Sequence, residues 1–217
     1  MHRRRRTALS VSAALLCAAP FLAACGSDAH PGAAAVVGGQ RIEVSSVQAQ
    51  VKDVRTAQSE SANAADLVKN TGQLGRAKLH TLILDRVLDR AASEAGITVS
   101  RKEIQDVRKS WVQQAGSEAK VEQTLLQQNG IAPSQVDDFA REQVLVGKLS
   151  SSLGVDPTSQ EGNKALTDAL AEASKQLKID VNPRYGTWDN QKVALADYKT
   201  PWITQVTKEA QPAQTGA

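Results

Sequence analysis

The residues able to do covalent, redox or metal chemistry are scarce in this chain of 217 residues, which has two cysteines and three histidines. Cys17 and Cys25 both lie near the start, within or just past an uncharged run from Ala8 to Ala23. His2, His30 and His80 are scattered, and a single histidine makes neither a metal site nor a catalytic pair. His80 stands in a helical pattern, where a surface or half-buried imidazole is the simplest reading. There is no Gly-x-Ser-x-Gly elbow, no Walker loop, no His-Glu-x-x-His and no Ser-x-x-Lys with its partner motifs. Gly38-Gly39 is followed by no helix-entering third glycine, so the pair reads as a turn and not a phosphate cradle. Asp85/Asp89 and Asp137-Asp138 are spaced for solvated helix faces rather than for paired acid-base work. These features predict a protein that is not an enzyme, with no cofactor and no metal.

The reactive group with a defined context is the thiol of Cys25. Arg3 to Arg6 form a basic cluster ahead of the apolar run, which is short for a spanning helix of ~20 residues. The run ends in Leu22-Ala23-Ala24-Cys25, which resembles the lipobox of bacterial lipoproteins. That resemblance implies a signal peptide over residues 1–24, cleavage before Cys25, and thioether attachment of diacylglycerol to Cys25. One acyl chain holds a protein marginally at ~0.8 kcal/mol per buried methylene, whereas two or three palmitate-like chains hold it durably. The expected location is the outer face of the bacterial cytoplasmic membrane. An ordinary secretory signal with an incidental cysteine, or an uncleaved anchor, is the competing reading.

Processing changes the charge balance. Four of the 26 Lys+Arg residues lie in the signal and none of the 23 Asp+Glu do, so the remainder carries 22 against 23. The basicity belongs to targeting and gives no case for nucleic-acid binding. With Cys17 removed and Cys25 lipidated, no disulfide is left, and a core must hold the roughly 190 remaining residues together.

The elements read as follows. Residues 25–34 (through GSDAHPGAA) form a polar tether. Two β-prone pieces flank Gly38-Gly39, as in a tight hairpin. Ser45 or Ser46 offers an N-cap to a helix bearing Val47, Val51 and Val54. Ala57 to Gly72 is polar and small, a fraying end or loop. A strong amphipathic helix runs from Gln73 to Gly96, with Leu79, Ile83, Val87 and Leu88 on its apolar face. Ser100 to Glu103 is a capping box opening a helix with Ile104, Val107 and Trp111. Another helix spans Ser117 to about Gln128, and a further one follows Pro133-Ser134, where Ser134 and Asp137 have capping spacing. Gly154 to Gly162 is a turn-rich link to a helix over about Asn163–Leu177. Ile179 and Val181 alternate as in a strand, which Pro183 ends. Residues 190–217 read as a partly disordered extension. The sum is a mainly α domain over 35–189 with a small β element made by its two ends.

Three stretches in this order resemble the N-terminal chaperone domain of the SurA/PrsA/trigger-factor group of peptide-binding foldases. They are Val36 to Ile42, the long segment Leu82 to Glu103, and the closing segment Ile179 to Trp188, which carries Val181-Asn-Pro-Arg-Tyr-Gly-Thr-Trp188. The resemblance implies a helical peptide-binding scaffold. It also exposes a departure: the family's parvulin isomerase domain would fall where only Gly154 to Gly162 stand. The implied function is a membrane-anchored, extracytoplasmic chaperone or holdase for unfolded or exported polypeptides, without isomerase activity. Alternatives are an envelope module docking one specific protein partner and a degenerate prolyl isomerase. A solute-binding lipoprotein would need two βαβ lobes, a pattern that is absent here. Substrate-binding residues stay open. Trp111, Phe139, Tyr185, Trp188 and Trp202 fit either a peptide groove or core packing, with core favoured for Trp188.

Overall fold

A computed structural model describes residues 31–69 and 73–197. The span expected to be a signal, the lipobox-like stretch with Cys25, and the tail with Trp202 lie outside the described residues. Among those described, the chain is mainly helical, with small antiparallel sheets. Strands β1 (Ala33–Val37) and β2 (Gln40–Glu43) form a hairpin with Val37 opposite Gln40. Gly38 and Gly39 take φ values of 58° and 77°, the doubly left-handed turn that matches strand twist and that side-chain-bearing residues resist. Ala33 and Ala34 have no exposed surface and lie in β1, so the folded body starts inside the span read as tether.

Helix α1 (Val44–Ser59) leaves β2 directly, and its cap is not a serine. Glu43 occupies the N-cap without a side-chain bond, while Val44 N–H donates to Gly32 O at 2.8 Å. The hairpin thus satisfies an orphan donor that Ser45 or Ser46 was expected to serve, and both serines fall in the first turn. A short helix, α2 (Ala64–Lys69), occupies part of the segment read as loop. It inserts a single buried side chain, Leu67.

Helix α3 (Leu74–Glu94) is the spine. Leu79, Ile83, Val87 and Leu88 are essentially inaccessible, and the core cluster built on them takes in β1, β2, α1, α6 and α7. Helix α4 (Arg101–Ala115) has the expected capping box, and α5 (Glu118–Asn129) is capped by Ser117 and closed by Gly130 at φ 61°. Helix α6 (Val136–Ser152) differs from its expected start. A 3-10 turn over Pro133–Gln135 precedes it, and Ser134 Oγ donates to Asp53 Oδ2 of α1 at 3.2 Å instead of capping.

Helix α7 (Gln160–Gln176) begins three residues earlier than its apolar pattern indicated, because Ser159 is the N-cap and accepts from Gly162 N–H at 2.9 Å. A Cβ on Gly162 would lie 1.8 Å from Asp156 O, so the link folds tightly back on the helix it opens. Residues 153–159 alone join α6 to α7, which leaves no room for an inserted domain.

Strand β3 (Asp180–Val181) then returns antiparallel to β1, with Ala35 opposite Val181, giving the sheet order β2-β1-β3. The two ends of the domain pair as the alternation of Ile179 and Val181 indicated. A second hairpin was not legible: β4 (Thr187–Asp189) pairs with β5 (Ala194–Ala196). Its turn is held by Asp189 Oδ1, which accepts from Gln191 N–H and Lys192 N–H. Residues 190–197, the start of the extension read as partly disordered, therefore belong to the folded body. This hairpin is fastened to α7 through Ser174, which has no exposed surface. Ser174 Oγ accepts from Trp188 Nε1 at 2.7 Å and donates to Asn190 Oδ1 at 2.6 Å. Replacing it with alanine strands an indole donor, so Ser174→Ala is expected to cost about 1–3 kcal/mol in urea unfolding. An unchanged midpoint would show that the hairpin is held by other contacts.

Candidate functional site

Helix α4 differs from the others in having no fully buried residue. Ile104, Val107, Trp111 and Val112 are each half-exposed, although they line one helical face. Polar fasteners at its N-terminus and its middle hold the helix in place. At the N-terminus, Ser100 Oγ accepts from Glu103 N–H and the Glu103 carboxylate accepts from Ser100 N–H at 2.8 Å. The same carboxylate receives Lys148 Nζ of α6 at 2.5 Å, and Lys148 also donates to Thr98 O at 2.6 Å. Lys148's hydrogen bond, followed by those from Ser100, holds the Glu103 carboxyl down at about 2. At the middle of the helix, the Arg108 guanidinium bridges Glu118 of α5 and Asp137 of α6. Tied by charge at its N-terminus and its middle, α4 keeps its position without sinking its apolar side chains into a core.

The result is an open apolar groove among α4, α5 and α6, of about 390 Å³. Trp111, Ala115, Val121, Leu125 and Phe139 form its walls, and Gln114, Thr124 and Gln143 its rim. The rings of Trp111 and Phe139 sit 5.7 Å apart, tilted by 33°. Both aromatics that sequence left open between groove and core therefore meet at one half-exposed site. The others separate from them. Tyr185 and Trp188 pack against the main core, as expected for Trp188. His80 is structural: Nε2 donates to Val193 O at 3.2 Å and the ring lies 5.7 Å from that of Trp188. The carbonyl it binds belongs to a valine held at φ 50°, a strained conformation for a β-branched residue.

Phe139 also lines a second, more enclosed cavity of about 250 Å³ between α3 and α6. Sequence reading missed this cavity, because its polar residues sit where helix periodicity assigns them to solvent. Lys78 is 5% exposed, with Nζ donating to Gln135 Oε1 at 2.6 Å. Gln135 Nε2 in turn donates to Gln50 O, so this polar thread ties α3 to α1. Burial lowers the Lys78 pKa, against the opposing pull of Asp53 and Asp85.

Asp85 corrects an expectation. It does not lie on a solvated face: burial, with Glu142, Asp138 and Asp89 adding repulsion, pushes its carboxyl up to about 7. Burial raises Glu142 of α6 as well. Asp89 and Asp137 do fit the solvated reading, each exposed and paired with an arginine.

An acid whose folded pKa is raised makes the native state bind more protons than the unfolded chain. Its contribution therefore falls as pH rises from roughly 4 to 7 and stays low above that. Asp85→Asn is expected to match the parent at pH 4. At pH 8 it should be more stable, on the order of 2 kcal/mol after solvent screening, or about 4–8 °C in Tm. Equal Tm values at pH 8 would remove Asp85 as a strained group.

Comparison with known proteins adds the family. The model for a SurA-like N-terminal domain matches residues 1–150. That range takes in β1 through most of α6, including the whole α4–α6 groove; α7 and the returning strand lie beyond it. No curated protein and no solved structure matches the chain. The family match supports a chaperone-related role in which a polypeptide is what is bound. A domain of seven helices among the described residues, its ends paired as strands and its sequence matched over more than half its length, belongs to the SurA-like N-terminal domain family.

Proposed function

We propose that the protein is a lipid-anchored extracytoplasmic holdase that binds apolar segments of exported polypeptides in the α4–α6 groove, without catalysing proline isomerisation. The observation that carries the reading is the Trp111–Phe139 pair, two half-exposed aromatic rings 5.7 Å apart in an apolar groove. Large rigid faces bury much area on binding and lose little side-chain entropy, so they suit unspecific contact with extended chains. An open groove with few polar anchors selects for apolarity rather than for one sequence. The short 153–159 link supports binding without an isomerase, since an inserted domain would have to interrupt the chain there.

Anchoring rests on the lipobox-like Leu22-Ala23-Ala24-Cys25. Cys25 would carry the diacylglycerol and the membrane would be a partner through lipid alone. Only residues 26–32 lie between that cysteine and β1. At ~3.5 Å per extended residue, this tether would keep the groove within a few tens of ångströms of the bilayer, where exported chains emerge. Expression of the full chain with labelled palmitate is expected to give label in the membrane fraction. Cys25→Ala should lose the label, and label that persists would remove the lipid assignment.

For the binding activity, the full chain in lipid nanodiscs is expected to suppress aggregation of a denatured client at several-fold molar excess. Trp111→Ser, at a half-exposed position, should weaken that suppression several-fold with little change in Tm. If the parent has no effect, the holdase reading fails. Cross-linking to a single partner would then favour the alternative of a specific envelope docking module.

A further inference from the structure

We infer that the cavity between α3 and α6 is a subsite for the cationic end of a client's arginine or lysine, adjoining the apolar groove across Phe139. This rests on the holdase reading and specifies the class of segment bound: an apolar or aromatic residue close to a basic one. Continuity is the first observation, because Phe139 lines both the groove and the cavity. A chain lying over Trp111 and Phe139 would pass the mouth of the cavity with its next side chains.

Charge is the second. Three carboxylates face the cavity, Asp85 from α3 and Asp138 and Glu142 from α6. Against them stands Lys78, whose ammonium is directed at Gln135 Oε1 and is nearly inaccessible. Arg141 pairs with Asp89, and its charge opposes the rise at Asp85 without overcoming it. From α1, Asp53 adds negative charge beside Lys78 and engages Ser134. His80 lines the cavity but is bound to Val193 O. The balance therefore favours a cationic guest. Among the described residues no three His, Cys, Asp or Glu groups are placed to hold a metal ion.

Size is the third. A cavity of about 250 Å³ admits one long side chain and excludes a folded element. An aliphatic stem would lie along Leu84 and Ile131, which line the same space, and its head would reach the carboxylates. Without a guest, burial pushes the Asp85 carboxyl up to about 7 and raises that of Glu142. A cation arriving beside them would draw off their protons, because an opposite charge within a few ångströms favours the ionised acid. Recognition would therefore strengthen as pH rises, since ionised carboxylates attract the guest and protonated ones do not.

The test uses the full chain in lipid nanodiscs and three fluorescent peptides. They share one Trp-Leu apolar core and differ in a single neighbouring residue, Arg, Gln or Glu. At pH 8 the Arg peptide is expected to bind about tenfold more tightly than the Gln peptide, and the Glu peptide more weakly than either. The Arg-over-Gln ratio should shrink at pH 5.5. In the double variant Asp138→Asn with Glu142→Gln, and separately in Asp85→Asn, it should fall below about twofold. Circular dichroism of each variant confirms that the helices remain. Arg and Gln peptides bound equally by the parent would overturn the subsite and leave the apolar groove standing. A ratio that survives the carboxamide substitutions would overturn it too. If no peptide binds, the holdase reading falls and this inference falls with it.

Discussion

Burial of α3 is the constraint around which the molecule is arranged. Its apolar face is too broad for one neighbour: Leu79, Ile83, Val87 and Leu88 are all removed from water, with Leu82 and Leu84 half-covered beside them. No single helix covers so wide a stripe, so the surface must be covered from several sides. Helix α1 and the β1–β2 hairpin arrive before α3 in the chain, α6 and α7 after it. The return of β3 to β1 places the far end of the domain on the near end, and the segment after it, through Tyr185, Val193 and β5, supplies the last piece of cover. Ala33, Ala34 and Ala35 show how closely that cover fits, since none retains accessible surface. Small residues there let the strand approach the helix layer, where bulkier ones would hold it off.

Meeting that demand leaves α4 outside. One face of α6 packs on α3; α4 packs on α6, and α5 packs on α4 and α1. Helix α4 is consequently fixed by its N-terminal cap and by ion pairs at its start and middle rather than by a buried stripe. Glu103 with Lys148, and Arg108 with Glu118 and Asp137, hold it over α6. Exposed ion pairs contribute little stability one at a time. Here they act mainly as positioning devices for a helix whose apolar side chains stay half in water. Such a surface costs stability compared with a filled core, and that is what a site for apolar segments of another chain requires.

The same economy explains the cavity under Phe139. Between α3 and α6 the sequence supplies Asp85, Asp138 and Glu142 where leucines would close the gap. Burial raises the Asp85 and Glu142 carboxyls, which strain the native state most when ionised. A site that disfavours its own charged form gains from a partner that stabilises it. The groove and the cavity then work as neighbouring halves of one surface, apolar contact on one side of Phe139 and charge on the other.

Much of this architecture was legible from residue order. The 3.6-residue pattern of α3, the capping box of α4, the Ser117 and Gly130 boundaries of α5 and the Gly38-Gly39 turn each depend on local chemistry, so local sequence determined them. The likeness of both chain ends to the family pattern likewise anticipated the β1–β3 pairing. Helix starts at Val44 and Gln160 were misplaced by a few residues, because the donors there are satisfied by Gly32 O and by a folded-back link. The β4–β5 hairpin escaped because its strands are three residues each, with too little alternation to register. Sequence could not decide whether Trp111 and Phe139 were core or groove, or that Asp85 was half-buried against a cavity. A residue's periodicity says which face of its own helix it occupies. Whether that face meets protein, water or a cavity is set by helices distant in the chain, and only their packing decided it.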